Sequence, residues 1–337
     1  MDQPLLARRA ILAGVTTALA SPLFAQAIAS PAYGRVERLD PALDALIDPA
    51  AQAEIIMDGF NWSEGPLWVG DARGALYVSD PRANGISRWT AREGKSAWLA
   101  PSGYQADAAT AGLAEPGTNG LALAPGAIIA ADSGNRAIVR IDLVTRRRTV
   151  LADRFEGKRF NSPNDVVISP ADGAMFFTDP PAGLAGGANS PLRELDFTGV
   201  FRLGRDGKVS LVTRDARPNG IALSPDGGTL YHTDGQIGWV AHKLDAQGRS
   251  VSQRPFIDLA AQGMRPGADG MKIDAAGNLW TSSRDGLSII NPQGRRLGIV
   301  RLDGSISNCE FGADGYLYIT SVAKVARIPV KARKIPM

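Results

Sequence analysis

Six acidic or amide residues recur along this chain at the same point of a repeated phrase, each ahead of two short apolar strands. The clearest copies, Asn164–Asp179 and Asn219–Asp234, align without a gap through Asn, Ser-Pro, Gly and Thr-Asp. The four looser copies begin at Glu64, Asn119, Asp269 and Asn308. If a pseudo-sixfold axis relates the copies, their leading side chains converge on one channel. Two carboxylates in such a ring repel each other unless a cation or a proton joins them.

The donor types in this ring predict a metal site. Glu64 and Asp269 supply two negative charges, Asn164 and Asn219 supply neutral carbonyl oxygens, and no His or Cys stands in register. Hard oxygen donors favour one divalent cation, Ca²⁺ first, with Mg²⁺, Mn²⁺ or Zn²⁺ as alternatives. Four protein ligands leave positions open for water and substrate, so the ion could act as a Lewis acid.

The remaining ring members, Asn119 and Asn308, have an equally good structural explanation. Their side chains could cap the inner strands by bonding backbone N–H groups of neighbouring blades. We therefore keep both interpretations open for these two residues and carry Asn119 as a candidate substrate contact.

The spacing of the repeats predicts the fold that positions the ring. The repeat spacing of roughly 40 to 55 residues, with two strands and a turn in each copy, is typical of a β-propeller. Six copies predict an all-β, six-bladed propeller with a central metal-binding channel, spanning residues 55–337. A short helix over Pro41–Ala53 would lie in an N-terminal extension at 28–54, and a strand at Glu54–Met57 could close the last blade.

The first 27 residues predict an export signal. Arg8 and Arg9 form a twin-arginine pair, an apolar stretch follows from Ala10 to Ala20, and Ala25-Gln26-Ala27 is a small-x-small cleavage site. The apolar stretch is too short to span a bilayer. We expect a periplasmic protein without a membrane span, beginning near Ile28.

Composition excludes several other classes of function. Removing residues 1–27 takes away Arg8, Arg9 and Asp2, so the formal charge falls from +3 to +2, and no concentrated basic stripe marks a nucleic-acid binder. Cys309 is the only cysteine, so no intrachain disulfide can form. The two histidines, His232 and His242, lie outside any recognisable motif.

Several of these motifs together resemble the family of gluconolactonase, regucalcin (senescence marker protein) and luciferin-regenerating enzyme, six-bladed propellers that also look related to diisopropyl fluorophosphatase. The resemblance covers about residues 40 to 330. It rests on Glu64-Gly-Pro-Leu-Trp, Ser162-Pro163-Asn164-Asp165, Phe177-Thr178-Asp179-Pro180-Pro181, Arg217-Pro218-Asn219-Gly220 and Asp269-Gly270-Met271. The resemblance implies that Glu64, Asn164, Asn219 and Asp269 hold the cation and that Asp269 is also the general base or acid.

Two positions depart from the family pattern where a substrate would be contacted. Ser162 stands where regucalcin-like members carry an Arg, and Ala182 stands where many bacterial relatives carry a Tyr. Two long loops, Pro101–Thr118 and Pro180–Thr198, are expected to cover the pocket. They offer Tyr104, Arg193 and Glu194 as candidate contacts to substrate hydroxyls, with solvated loop residues as the alternative.

The leading hypothesis from the sequence is a metal-dependent periplasmic lactonase, a carboxylic-ester hydrolase that opens a sugar lactone in the manner of a gluconolactonase. One alternative is an organophosphate or ester hydrolase of the diisopropyl fluorophosphatase type, since a cation polarises P=O and C=O alike. The other is a non-catalytic, Ca²⁺-binding propeller. The sequence does not predict the oligomeric state.

Overall fold

The computed structural model describes Met1 and residues 33–106, 111–214 and 216–335. These residues form antiparallel sheets built from consecutive strands, each about half a dozen residues long. Gly-rich and Asp-rich turns separate the strands, as the repeated phrase predicted. Four sheets have four strands each, and a nine-stranded sheet contains two further four-stranded units joined through an additional strand.

Blades one to three follow the chain from the inside outwards. Blade one contains β3 (Glu64–Val69), β4 (Ala75–Asp80), β5 (Gly85–Thr90) and β6 (Gly94–Leu99). Blade two contains β7 (Thr118–Ala124), β8 (Ala127–Asp132), β9 (Ala137–Asp142) and β10 (Arg148–Ala152), and a small hairpin, β11 (Arg154–Phe155) and β12 (Lys158–Arg159), follows it. Blade three contains β13 (Val166–Ile168), β14 (Met175–Asp179), β15 (Gly199–Leu203) and β16 (Val209–Arg214).

Blades four to six complete the ring. Blade four contains β17 (Pro218–Leu223), β18 (Thr229–Asp234), β19 (Gly238–Leu244) and β20 (Ser250–Pro255). Blade five contains β21 (Met271–Ile273), β22 (Leu279–Ser283), β23 (Gly286–Ile290) and β24 (Arg296–Leu302). Blade six contains β25 (Ile306–Phe311), β26 (Tyr316–Ser321), β27 (Lys324–Pro329) and, as its outer strand, β2 (Gln52–Met57).

The N-terminal strands close the propeller. β2 pairs antiparallel with β27, which confirms the predicted closing strand, and β1 (Gly34–Arg38) pairs with both β24 and β2. The predicted boundary at residues 54/55 therefore falls inside a strand. The predicted helix is a 3₁₀ turn over Pro41–Ala45, where Asp40 caps the Ala42 N–H at 2.8 Å, because the residues after it are needed for β2. A second 3₁₀ turn spans Gly187–Asn189.

The hydrophobic core is divided among the blade interfaces. Among the described residues, each pair of neighbouring blades shares one cluster of buried apolar side chains, six clusters in all. The cluster between blades six and one includes Tyr318 stacked on Trp68, with ring centroids 5.2 Å apart. Such a pair adds about 0.5–1.5 kcal/mol to the burial of the rings themselves. These contacts show a closed ring of six blades, as predicted.

Three sequence-based predictions concern other parts of the chain. Cys309 is buried in the cluster between blades five and six, and burial raises the pKa of its thiol to about 12, so it stays protonated and unreactive. The predicted export signal lies outside the described residues, apart from Met1. No helix in the described ranges is long and apolar enough to cross a bilayer.

Candidate functional site

In blades three and four, the segment that leads to the predicted ligand is fixed by an Asp at the end of the neighbouring strand of the same blade. The carboxylate of Asp179, at the end of β14, accepts the N–H groups of Asn161 at 2.8 Å and Ser162 at 2.9 Å. Asp234 accepts the Arg217 N–H in the same way at 2.8 Å. The Asp of the recurring Thr-Asp pair, at the end of the second strand, therefore holds the backbone that precedes the predicted ligand. Burial raises the pKa of Asp179 to about 7, and the N–H groups it accepts oppose this shift.

The threonine of the same Thr-Asp pair links each blade to the next one. Thr178 Oγ1 donates to the carbonyl of Asn219 at 2.6 Å, and Thr233 Oγ1 donates to the carbonyl of Asp269 at 3.0 Å. The backbones of two predicted ligands are thus tied to the preceding blade. This arrangement sets the relative height of the side chains around the axis.

The glycine after a leading residue is required by close packing. Gly120 N–H donates to the Asn164 carbonyl at 2.7 Å, and Gly220 N–H donates to the Asp269 carbonyl at 3.1 Å. A Cβ on Gly220 would lie 2.4 Å from the Asp269 oxygen, and one on Gly120 would lie 2.3 Å from Asp165 Oδ1. The Asn-Gly signal, which suggests a sharp turn in the sequence, thus marks the places where neighbouring inner strands approach most closely.

Glu64 is a buried carboxylate without an ionic partner among the described residues. It is 3 % exposed, accepts the Gly65 N–H at 2.8 Å, and receives a weaker contact from Asn308 Nδ2 at 3.4 Å. Burial, with repulsion from Asp165, raises the pKa of Glu64 to about 8. A carboxyl in this setting needs either a proton or a cation.

Asp269 also has a raised pKa, but its side chain is only half-buried and lines a cavity. Burial, followed by repulsion from Glu64, Glu115 and Asp165, raises the pKa of Asp269 well above its usual range, and a hydrogen bond from Asn219 opposes the shift. The charge of Glu64 raises the pKa of Asp269, so the two predicted acidic ligands are close enough to interact. The Asn219 side chain joins it directly through its bond to Asp269.

Asn164 completes the predicted set. Its side chain is only 7 % exposed, and its amide forms no hydrogen bond with any described residue. The amide atoms are not sealed from solvent, so water or a ligand can reach and bond them. Its neighbour Asp165 is buried too, accepts the Val166 N–H at 2.9 Å, and is influenced by the positive charge of Lys272.

The donor set fits a hard divalent cation. In the described part of the chain no three His, Cys, Asp or Glu side chains come together as a metal cage of their own. The predicted set is a mixed one, two carboxylates and two amides. Glu64 and Asp269 form no ion pair with a described Lys, Arg or His, and the Asn164 amide lacks a partner. Lys272 offsets part of the negative charge of Glu64 and Asp165. Carboxylates beside neutral oxygen donors are the ligands that Ca²⁺ and similar ions prefer.

A cavity of about 590 Å³ opens beside this group. Loops of blades four, five and six and the loop before blade one form its walls, and Asn219 and Asp269 lie among them. The other lining residues are Trp62, Gly267, Ala268, Ser283, Arg284, Asp285, Gly286, Leu302, Gly304, Ser305 and Ile306. Its volume is within the range of ligand pockets, and it lies against the residues with perturbed pKa values.

Three of the four candidate substrate contacts make their described contacts away from Asp269, whereas Asn119 lies beside Glu115, which acts on Glu64 and Asp269. Tyr104 lines a different cavity, on blade two, of about 510 Å³. The guanidinium of Arg193 donates to Asn161, Ala188 and Phe197, and Glu194 accepts the Arg159 N–H at 2.9 Å. Asn119 is buried, and its amide contacts Glu115 at 3.4 Å. None of the four lines the cavity that contains Asp269.

The two long loops pair with each other, which explains this outcome. Ala185 N–H donates to Gly112 O at 2.9 Å, and the N–H groups of Ala114 and Glu115 donate to Gly183 O at 2.9 and 3.1 Å. Their backbone groups are thus satisfied mutually. Of the loop side chains, Glu115 comes near enough to influence Asp269.

Sequence reasoning missed two groups of residues. Asp165 occupies the position that holds Gly in four other copies of the phrase, and this departure from the repeat was an available signal. Arg284, in the turn between β22 and β23, carried no signal because that turn has no counterpart in the repeated phrase.

The chain matches the family model described as the SMP-30/gluconolactonase/LRE-like region over residues 62–323. It is similar to a gluconolactonase of Zymomonas mobilis, with 40 % identity over 315 residues, covering 88 % of this chain and 86 % of that protein.

Solved structures agree with this match. A gluconolactonase from Xanthomonas campestris superposes with a TM-score of 0.74 and 30 % identity, covering 89 % of this chain and 97 % of the other. Regucalcin from Agrobacterium tumefaciens, described as a calcium-binding protein, has a TM-score of 0.65 and 20 % identity over 84 % of this chain and 96 % of its own. At that identity the second structure supports the fold alone.

Proposed function

The chain belongs to the SMP-30/gluconolactonase/LRE-like family, and from that premise we propose that it is a metal-dependent carboxylic-ester hydrolase that opens sugar lactones. The observation that carries the proposal is the interacting pair of buried Glu64 and half-buried Asp269, neither of which forms a close ion pair with a described residue, beside a cavity large enough for a small ligand. The similarity to gluconolactonases supports the choice of a lactone.

Glu64, Asn164, Asn219 and Asp269 would hold one divalent cation, with Ca²⁺ as the first choice. When bound, the ion supplies Lewis-acid polarisation of the lactone carbonyl. Burial and repulsion from neighbouring carboxylates raise the pKa values of Glu64 and Asp269. A bound cation would stabilise the charged forms of both carboxyls.

Asp269 is the residue we assign to proton transfer. It lines the cavity, while Glu64 is deeply buried and bonded to Gly65. A carboxylate oxygen of Asp269 accepts a proton from water as the water oxygen bonds to the carbonyl carbon. The ring C–O bond then breaks, and the carboxyl returns the proton to the leaving oxygen. The hydrogen bond from Asn219 orients the carboxylate for both transfers.

We also propose that the protein acts in the periplasm. Support comes from the twin-arginine pair Arg8 and Arg9, the apolar stretch after it and the Ala25-Gln26-Ala27 cleavage pattern. Fractionation of cells expressing the full chain tests this directly. The mature protein should appear in the periplasmic fraction, and an Arg8→Lys, Arg9→Lys variant should stay in the cytoplasm as the longer precursor.

The decisive assay is a pH-stat measurement of acid release from glucono-1,5-lactone and a pentonolactone, with and without chelator. We expect hydrolysis that a chelator abolishes and Ca²⁺ restores. Unchanged activity after chelation would remove the metal from the proposal. Cleavage of a phosphotriester without any lactone hydrolysis would favour the organophosphatase alternative, and Ca²⁺ binding without either activity would favour a non-catalytic propeller.

A further inference from the structure

Two polar side chains in the wall of the cavity, Ser283 and Asp285, are committed to partners within the protein. Ser283 Oγ donates to the Gly286 carbonyl at 2.9 Å. Asp285 Oδ2 accepts both terminal nitrogens of Arg296 at 3.0 Å. These groups hold the β22–β23 turn in place, so they are poor candidates for contacting a ligand.

Arg284, between them, is held differently. Its Nε donates to the carbonyl of Pro266 at 2.8 Å, while its two terminal nitrogens form no hydrogen bond or ion pair with any described residue. It is also the only cationic side chain among the described residues that line the cavity. One edge of the guanidinium is therefore anchored, and the other is available.

The backbone beneath Arg284 is shaped to receive it. Gly267 has a φ of +113°, and a Cβ there would lie 3.0 Å from both Nε and Nη2 of Arg284. A side chain at 267 would therefore crowd the guanidinium and would also strain the backbone. An exposed arginine usually samples many rotamers, whereas this one is fixed at Nε and packed against a glycine.

We propose that Arg284 is the specificity-determining residue of the cavity and that it binds adjacent hydroxyl groups of a polyhydroxylated lactone. The proposal rests on the lactonase function proposed above. A guanidinium presents its terminal N–H donors as a planar fork, which matches two neighbouring oxygens. The surrounding residues Gly267, Ala268, Gly304 and Ser305 are small and leave room for a hydroxylated ring. Arg284 would thus supply the recognition that Ser162 and Ala182 do not.

The first test compares a lactone with hydroxyls and one without. In Arg284→Gln, we expect KM for glucono-1,5-lactone to rise about tenfold with kcat within about twofold, and kinetics with δ-valerolactone to stay unchanged, because a missing partner penalises only hydroxylated substrates. Arg284→Lys should recover part of the loss, since a point charge replaces the fork. Arg73→Gln, an exposed arginine in the β3–β4 turn, is the matched control and should behave as wild type. Unchanged kinetics, or equal losses for both lactones, would overturn the role of Arg284.

The second test does not depend on turnover. Calorimetric titration with gluconate, a stable polyhydroxy acid, should show binding to the wild type and to Arg73→Gln and about tenfold weaker binding to Arg284→Gln. Equal affinity for all three proteins, or no binding to the wild type, would contradict the proposal. If the wild type opens no lactone, the proposed function fails, whereas the same titration with sorbitol, a neutral polyol, still decides whether Arg284 recognises hydroxyl groups, because the carboxylate of gluconate can itself pair with a guanidinium.

Discussion

Two loop regions of this propeller are built on opposite principles. The paired region, residues 101–106, 111–118 and 180–198, is long, and its loops bond to each other through Gly112, Gly183 and their partners. The open region, residues 266–269, 283–286 and 302–306, combines the end of the long connection between Pro255 and Met271 with two short turns, and it surrounds a cavity of about 590 Å³. Loop length alone therefore does not identify the side that we propose for the substrate. Loops can satisfy each other's backbone groups, whereas segments with small side chains leave space.

The predicted catalytic group belongs to the open region, and the largest expected effect tests that assignment. Asp269→Asn should lower kcat by about two orders of magnitude or more, because the amide cannot accept the proton. Metal affinity should fall much less, since the amide oxygen still coordinates. Glu64→Gln should instead weaken metal binding first. Kinetics combined with calorimetric metal titration separate the two outcomes, and full activity in Asp269→Asn would break the assignment.

The second prediction concerns the packing that positions Asp269. Gly220→Ala should destabilise the protein by about 1–3 kcal/mol and lower kcat, because the new Cβ would meet the Asp269 carbonyl at 2.4 Å. Thermal unfolding and lactone kinetics measure both effects. Gly85→Ala is the control, since a Cβ there has nothing closer than 3.8 Å. If both variants unfold at the same temperature as wild type, close packing at the axis does not explain the Asn-Gly motif.

The repeated parts of this architecture could be predicted from sequence, because repetition in phase carries information that a single motif lacks. The six blades, the closing strand and the leading residues Glu64, Asn164, Asn219 and Asp269 all follow from the periodic phrase. The pairing of Gly112 with Ala185 could not be predicted, since it joins two irregular segments far apart in the chain. Arg284 was missed because its recognition depends on the position of Pro266 and Gly267 in space.

The third prediction concerns Arg193, which lies in the paired region. Arg193 Nε donates to Asn161 Oδ1 at 3.2 Å, Nη1 to Ala188 O at 2.9 Å, and Nη2 to Phe197 O at 3.3 Å. Arg193→Gln should therefore cost about 1–2 kcal/mol of stability and leave kcat/KM within about twofold of wild type. Denaturant unfolding and lactone kinetics provide the comparison. A tenfold rise in KM would show that substrate reaches the paired region, and the distinction between the two regions would fail.

The smallest expected effect lies outside both regions, in two histidines of blade four. His232 and His242 stack with ring centroids 5.1 Å apart, and His242 Nδ1 contacts Ser250 Oγ at 2.9 Å. Burial, with repulsion from His232, lowers the pKa of His242 to about 4. The folded state therefore prefers the neutral ring, and the unfolded chain binds the proton first, near its ordinary pKa of about 6.5. Stability from this group is complete above that pH and is lost progressively as the pH falls from about 6.5 to about 4.

At pH 5.5 the loss from His242 should be about 1 kcal/mol, which follows from one pH unit below the unfolded pKa. His242→Gln can keep the contact to Ser250 without titrating, so its melting temperature should fall less than that of wild type between pH 7 and pH 5.5. The difference should be about 1–2 °C for a folded unit of this size. Because the ring carboxyls titrate in both proteins, the subtraction isolates the histidine. Identical pH dependence of the melting temperature in the two proteins would mean that protonation of His242 does not destabilise the folded state. Acid sensitivity would then have to come from carboxyls whose pKa values the fold lowers, such as Asp172 and Asp234, because the raised pKa values of Glu64 and Asp269 favour the folded state as the pH falls.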